Sequence, residues 1–201
     1  MNLRNAHVPI NFTDEDLACR AQGGSKSCFA ELVRRHSVRL LRFVAQKVPH
    51  LQDAEDLVQE TFVKAYKNLG RYRKSHTFRT WLYTIGSRLI IDHYRSSRKT
   101  APLDDQWISP GASDPYEILA QWEETHNLWM AARRLPPKQH DVLWLKYMEN
   151  MTIAEIARIL NMTQINVRVL LHRARRRLVQ KQEQPGKAMP LESHPCFQEP
   201  I

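Results

Sequence analysis

A chain of 201 residues, 42% apolar and 25% charged, has room for one ordinary domain or two small ones, and these shares exclude wholesale disorder. Its 30 Lys and Arg against 21 Asp and Glu leave a formal charge of +9, which points to a polyanionic partner, with a plain solvated basic surface as the alternative. Three scattered cysteines (Cys19, Cys28, Cys196) make no disulfide framework and suit a reducing cytoplasm; no apolar run approaches the ~20 residues of a membrane span, and the N-terminus carries no secretory signal.

Glycine is scarce, and apolar residues recur at helical rather than strand spacing, so the predicted fold is all-α. Residues 1–25 read as an N-terminal segment. In "SCFAELVRRHSVRLLRFVAQKV", Phe29, Leu32, Val33, Leu40, Val44 and Val48 mark one face of a helix, Arg34, Arg35, Arg39 and Arg42 the other, and Pro49 ends it. "DAEDLVQETFVKAYKNL" follows, with Asp53 as its expected N-cap and Gly70 at its end. Leu57, Val58, Phe62, Ala65, Tyr66 and Leu69 form its apolar stripe. Its first half is acidic, through Asp53, Glu55, Asp56 and Glu60, which is unexpected in so basic a chain. After the polar loop "RYRKSHT", "FRTWLYTIGSRLIIDHYRSSRK" resumes a helix with Phe78, Trp81, Leu82, Ile85, Leu89 and Tyr94 in phase. Residues 26–99 thus make one three-helix bundle.

The stretch 100–124, rich in proline, reads as a flexible linker. Its acids Asp104, Asp105 and Asp114 leave two readings open, a plain tether or a mimic of nucleic acid. Residues 125–182 read as a second small helical domain, with Pro136 and Pro137 opening one helix and Thr152 capping another. Thr152 to Leu178 has the size of a helix-turn-helix. Ala154, Ile156, Ala157 and Leu160 are expected on the inner side of its first helix, and Asn161 in the turn. Ile165, Val167, Leu170, Leu171, Ala174 and Leu178 are expected on the inner side of the second. That second helix carries Arg168, His172, Arg173, Arg175, Arg176, Arg177 and Lys181, and no acid before Glu183. Helical phase puts Arg168, His172, Arg175 and Arg176 on one exposed side. Arginine binds phosphate as a fork or guanine in the major groove, so Asn166, Arg168, Val169 and His172 are the candidates for bases, and Arg173, Arg176 and Arg177 for backbone. Residues 183–201 read as a mobile tail.

The acidic "DAEDLVQETF", the aromatic "FRTWL" and the basic "DHYRSSRK" together resemble region 2 of the extracytoplasmic-function (ECF) sigma factors of the sigma-70 family. "LPPKQHDVLWLKYMENMTIAEIARILNMTQINVRVLLHRARRRL" resembles region 4. The resemblance implies a sigma factor that binds core RNA polymerase, directs promoter-specific initiation at −10 and −35 elements, and helps melt DNA. It implies that Asp53, Asp56, Gln59 and Glu60 dock on the β′ coiled coil, with Leu57, Val58 and Phe62 as core and interface apolar area, and that region 4 meets the β flap. It implies that Arg71, Tyr72, Arg73, Lys74, His76 and Phe78 capture a flipped base of the −10 element, a task that aromatic faces in a cationic groove suit. Arg88, Arg95, Arg98 and Lys99 would grip adjacent backbone, while Trp81 reads as core ahead of base stacker. An anti-sigma factor is a further partner that the family implies. Two departures stand out: Arg88 replaces a frequent Asn, and Ile165 to Val169 replace a frequent Gly-Thr-Val, Lys or Arg, Ser, so the −35 sequence is expected to differ from the common one.

No catalytic constellation, cofactor motif or metal spacing is evident, so neither an enzyme nor a cofactor is expected. An independent helix-turn-helix regulator and a protein-interaction module are the competing functions.

Overall fold

Thr13 and Ser25 punctuate the start of the folded chain. In a computed structural model, which describes residues 12–100 and 129–182, each caps a helix: the Thr13 hydroxyl accepts from the Asp16 N–H at 3.2 Å and the Ser25 hydroxyl from the Cys28 N–H at 3.4 Å. The first helix, α1, spans Asp14–Gln22, with acids Asp14, Glu15 and Asp16 at the positive end of its dipole. Gly24, at φ 97°, turns the chain into α2, Lys26–Ala45. Helix α3, Leu51–Lys67, runs back along α2, and the Phe29 ring near one end of α2 meets Tyr66 at 4.9 Å near the opposite end of α3. A short 3-10 turn at Leu69–Arg71 and a loop lead to α4, Phe78–Thr100.

These four helices enclose one core containing Leu17, Leu32, Leu40, Phe43, Phe62, Phe78 and Leu82. The expected three-helix bundle therefore gains a member. Helix α1 packs Leu17, Ala18 and Ala21 inward, whereas its residues read as a separate N-terminal segment in the sequence. Asp53 does not cap α3: the helix starts two residues earlier, with His50 at the cap position and no side-chain cap bond. Gly70 lies within the 3-10 turn, beyond the end of α3.

Helix α1 is also held by charge. Asp14 accepts from buried His36 at 2.8 Å and from Arg35 at 3.0 Å, while Arg35 reaches Glu31 at 2.8 Å and the Phe12 carbonyl at 2.8 Å. The His36 hydrogen bond, ahead of Arg35, holds the Asp14 carboxyl below its usual range. Arg34 and then Arg35 hold Glu31 down at about 2. A carboxyl whose pKa is lower folded than unfolded stabilises the fold above its unfolded value, and the gain is lost as pH falls through the folded value. Acid melting of the protein is thus expected to steepen below about pH 4. Asp14→Asn should lower the melting temperature near neutrality and flatten that acid limb; a limb of unchanged slope counts against the network.

The chain divides into two units, residues 1–115 and 116–201. In the second, Pro137 opens α5, Pro137–Leu143, at the position where its missing N–H is not needed. A wide turn follows over Trp144–Met148, closed by the Glu149 N–H donating to the Trp144 carbonyl at 3.2 Å. Helix α6, Ile153–Ile159, starts in a capping box in which Thr152 and Glu155 satisfy each other's backbone N–H. Asn161, at φ 52°, supplies the expected left-handed turn residue into α7, Gln164–Gln182. Trp129, Trp144, Leu145, Ile156, Val167, Leu171, Ala174 and Leu178 form this unit's own core. Ala154 and Ile165, expected inside, are both exposed. Each unit is helical throughout, with no strand among the described residues. Residues 101–124 of the expected linker, and the tail beyond 182, lie outside the described residues.

Candidate functional site

Three exposed faces collect the polar side chains that the cores do not use. The first lies on α3. Asp56, Gln59 and Glu60 are exposed and Asp53 half-buried, all spaced by three or four residues and so on one side. Glu60 meets Lys64 at 2.9 Å across the surface. Beside this row runs an open groove of about 590 Å³ between α2 and α3, lined by Val33, Val38, Leu41, Gln59, Val63 and Tyr66. Val38, Val63 and Tyr66 are exposed, unusual for residues of that size and apolarity. The most exposed apolar side chains of this face are thus Val38, Val63 and Tyr66. Leu57, Val58 and Phe62, which the sequence offered as core and interface area, are largely buried, with Val58 and Phe62 also lining the groove, and Tyr66, placed by periodicity on the core stripe, belongs outside.

The second face surrounds the loop from Leu69 to Phe78. Arg71, Arg73, Lys74 and His76 are exposed, in keeping with a cationic groove. Tyr72 and Phe78 are not available to a base: they are 2% and 0% exposed. Their rings pack edge-on at 5.8 Å, and the Tyr72 hydroxyl donates to the His76 carbonyl at 2.9 Å. Burial pushes the Tyr72 phenol up in pKa. Both are anchors of the loop. The aromatic that stays partly exposed is Trp81, stacked at a tilt on Tyr72 at 5.4 Å and Phe78 at 5.8 Å. Arg88 and Arg95, both exposed, follow Trp81 at seven-residue steps and so share its side of α4. The side chains of Arg98 and Lys99 lie outside the described residues.

Helix α1 holds this loop in place, a role invisible in the sequence. The Gln22 amide donates to the carbonyls of Leu69 at 2.7 Å and Tyr72 at 3.0 Å. Glu15 accepts from the Phe78 N–H at 3.0 Å, at the start of α4, and Asp16 meets Lys74 at 3.0 Å. Four positions of the loop's frame, Leu69, Tyr72, Lys74 and Phe78, are thus fixed by one short helix.

The third face is α7. Val167, Leu171, Ala174 and Leu178 point inward. Asn166, Arg168, Val169, His172, Arg173, Arg176 and Arg177 are all exposed. Two arginines are engaged with the unit itself. Arg175, read from phase as exposed, is half-buried, donates to the Tyr147 hydroxyl at 2.7 Å and lies 5.6 Å from its ring centre. Arg177 donates to Gln139 at 3.2 Å. Asn166, Arg168, Val169, His172, Arg173 and Arg176 remain as the outward set.

Among the described residues no three His, Cys, Asp or Glu side chains group to hold a metal ion, and no helix is long and apolar enough to cross a membrane. Cys19 is half-buried and Cys28 buried, both as free thiols.

Comparison with known proteins matches both units. The family model for Sigma-70 region 2 matches residues 32–100, and that for Sigma-70, region 4 matches residues 125–178. The chain is 32% identical over 149 residues to RNA polymerase sigma factor YlaC of Bacillus subtilis, covering 72% of this chain and 86% of that protein. It is 30% identical over 169 residues to ECF RNA polymerase sigma factor BldN of Streptomyces coelicolor, covering 81% of this chain and 63% of BldN's length. Among solved structures it resembles CnrH in its complex with the cytosolic domain of CnrY, with a TM-score of 0.64 and 25% identity over 86% of this chain and 99% of that one.

Proposed function

The chain belongs to the ECF sigma factors of the sigma-70 family, and from that premise we propose that it seats on core RNA polymerase through α3 and directs it to promoters through α4 and α7. One observation carries this reading: a basic chain segregates its charge, with an acidic row beside an apolar groove on α3 and an acid-free cationic face on α7. A basic element of the polymerase complements the first face, and duplex DNA the second. Asp56, Gln59 and Glu60 set register and encounter, while Val38, Val63 and Tyr66 supply apolar contact. Around the −10 element, Trp81 offers the stacking face, Arg71, Arg73, Lys74 and His76 the cationic surround, and Arg88 and Arg95 the backbone grip. At the −35 element, the N-terminal half of α7 enters the major groove. The protein is then a non-catalytic, cytoplasmic specificity subunit. Its release is controlled by a protein partner of the anti-sigma kind, a reading supported by the likeness to CnrH held by CnrY.

Run-off transcription tests this directly. Core polymerase supplied with the full-length protein is expected to initiate from a small, shared set of promoters in a randomised library. Initiation that the protein leaves unaltered rejects the reading, and a stand-alone regulator would bind DNA without retaining core polymerase at all.

A further inference from the structure

The N-terminal half of the outward face of α7 contains two residues that do not fit a purely polar reader of DNA. Ile165 is 71% exposed and Val169 39% exposed. At about 100° per residue, Ile165, Val169, His172 and Arg176 lie within about 60° of one another, roughly opposite the core stripe of Val167, Leu171, Ala174 and Leu178. Nothing in folding asks for these two side chains. They bury little, and β-branched residues are poorer helix formers than alanine or lysine at exposed positions. Their surroundings narrow what covers them. Arg168 flanks the pair on one side and Asn166 and Arg173 on the other, and the helix carries no acid from Gln164 to Gln182. A patch of two branched apolar side chains within such a field suits a polyanion with small apolar features on its surface. The major groove has one such feature, the 5-methyl group of thymine.

We propose that Ile165 and Val169 form an apolar pair that recognises thymine methyl groups in the −35 element. One helical turn separates the two residues by about 6 Å along α7, close to two base steps at about 3.4 Å each. The thymines recognised are therefore about two steps apart. The stiff χ1 of both side chains keeps the ordering cost of the contact small. Asn166, Arg168 and His172 then read polar edges on either side. This rests on α7 being the −35 reader.

The test removes the methyl alone. The preferred −35 element is selected from a randomised library with core polymerase and the full-length protein, and each thymine in it is replaced singly by uracil. Thymine is expected at two positions about two steps apart, with uracil at either weakening promoter binding about fourfold, the value of one buried methyl-sized group. Ile165→Ala should erase the penalty at one position and Val169→Ala at the other. Both substitutions sit on exposed helix and should leave the melting temperature near that of the parent. Silent uracil substitutions overturn the proposal, as would be the case if the pair served a protein partner instead. Penalties that persist unchanged in both variants overturn it equally. If scrambling the whole −35 element changes nothing, the assignment of α7 falls first, and this pair with it.

Discussion

Reversing Asp56 and Glu60 to arginine together is expected to weaken binding to core RNA polymerase by at least about a hundredfold while the protein stays folded. Both carboxylates are exposed, and the surface pair that Glu60 makes with Lys64 contributes only a few tenths of a kcal/mol to about 1 kcal/mol. Neither residue touches the core, so the melting temperature should change little. Binding should change a great deal. Each reversal swaps attraction for like-charge repulsion against a basic partner, a difference of several kcal/mol once the surface is desolvated. Co-elution with core polymerase over a salt series measures it. The parent complex should weaken with salt and the variant be weak throughout. Full-strength binding by the variant would remove α3 from the docking face.

The second large effect separates two neighbouring aromatics. Phe78→Ala should destabilise the first unit by about 3–5 kcal/mol, because a fully buried ring leaves a cavity between Tyr72, Trp81 and His36. Against a total stability of about 5–15 kcal/mol, that leaves the unit partly unfolded at working temperature. Trp81→Ala, at a half-exposed site, should leave the unit folded but reduce strand opening at the −10 element by about tenfold, the worth of one base stacked on an aromatic ring at about 1–3 kcal/mol. Circular dichroism follows the fold, and permanganate reactivity of unpaired thymines follows the opening. A folded Trp81→Ala protein that melts promoters like the parent rejects the stacking role. A Phe78→Ala protein with an unchanged melting temperature rejects the account of the core.

Most of this architecture is written in local signals. The helices α2, α3, α4, α6 and α7 follow from apolar periodicity. The capping box at Thr152 and the left-handed Asn161 follow from residue chemistry, and both are present as expected. What local signals lack is depth. Helix α1 has one large inward residue, Leu17, beside two alanines, so its amphipathic signal is faint although its cap and acidic first turn are plain. Tyr72 and Phe78 look available to a base because partners that cover them, α1 and His36 of α2, are distant in sequence. Ile165 looks like core because it is apolar and near Val167, yet two positions on a helix turn it by roughly 200°, to the opposite side. Asp53 looked like a cap because its residue type is right, but the helix begins earlier, at Leu51.

On α7 the residues that hold the second unit together and those turned outward share no members. Val167, Leu171, Ala174 and Leu178 anchor the helix; Ile165, Asn166, Arg168, Val169, His172, Arg173 and Arg176 face solvent. With α7 as the proposed −35 reader, substitutions on the outward set can change the promoter addressed while the anchoring residues stay untouched.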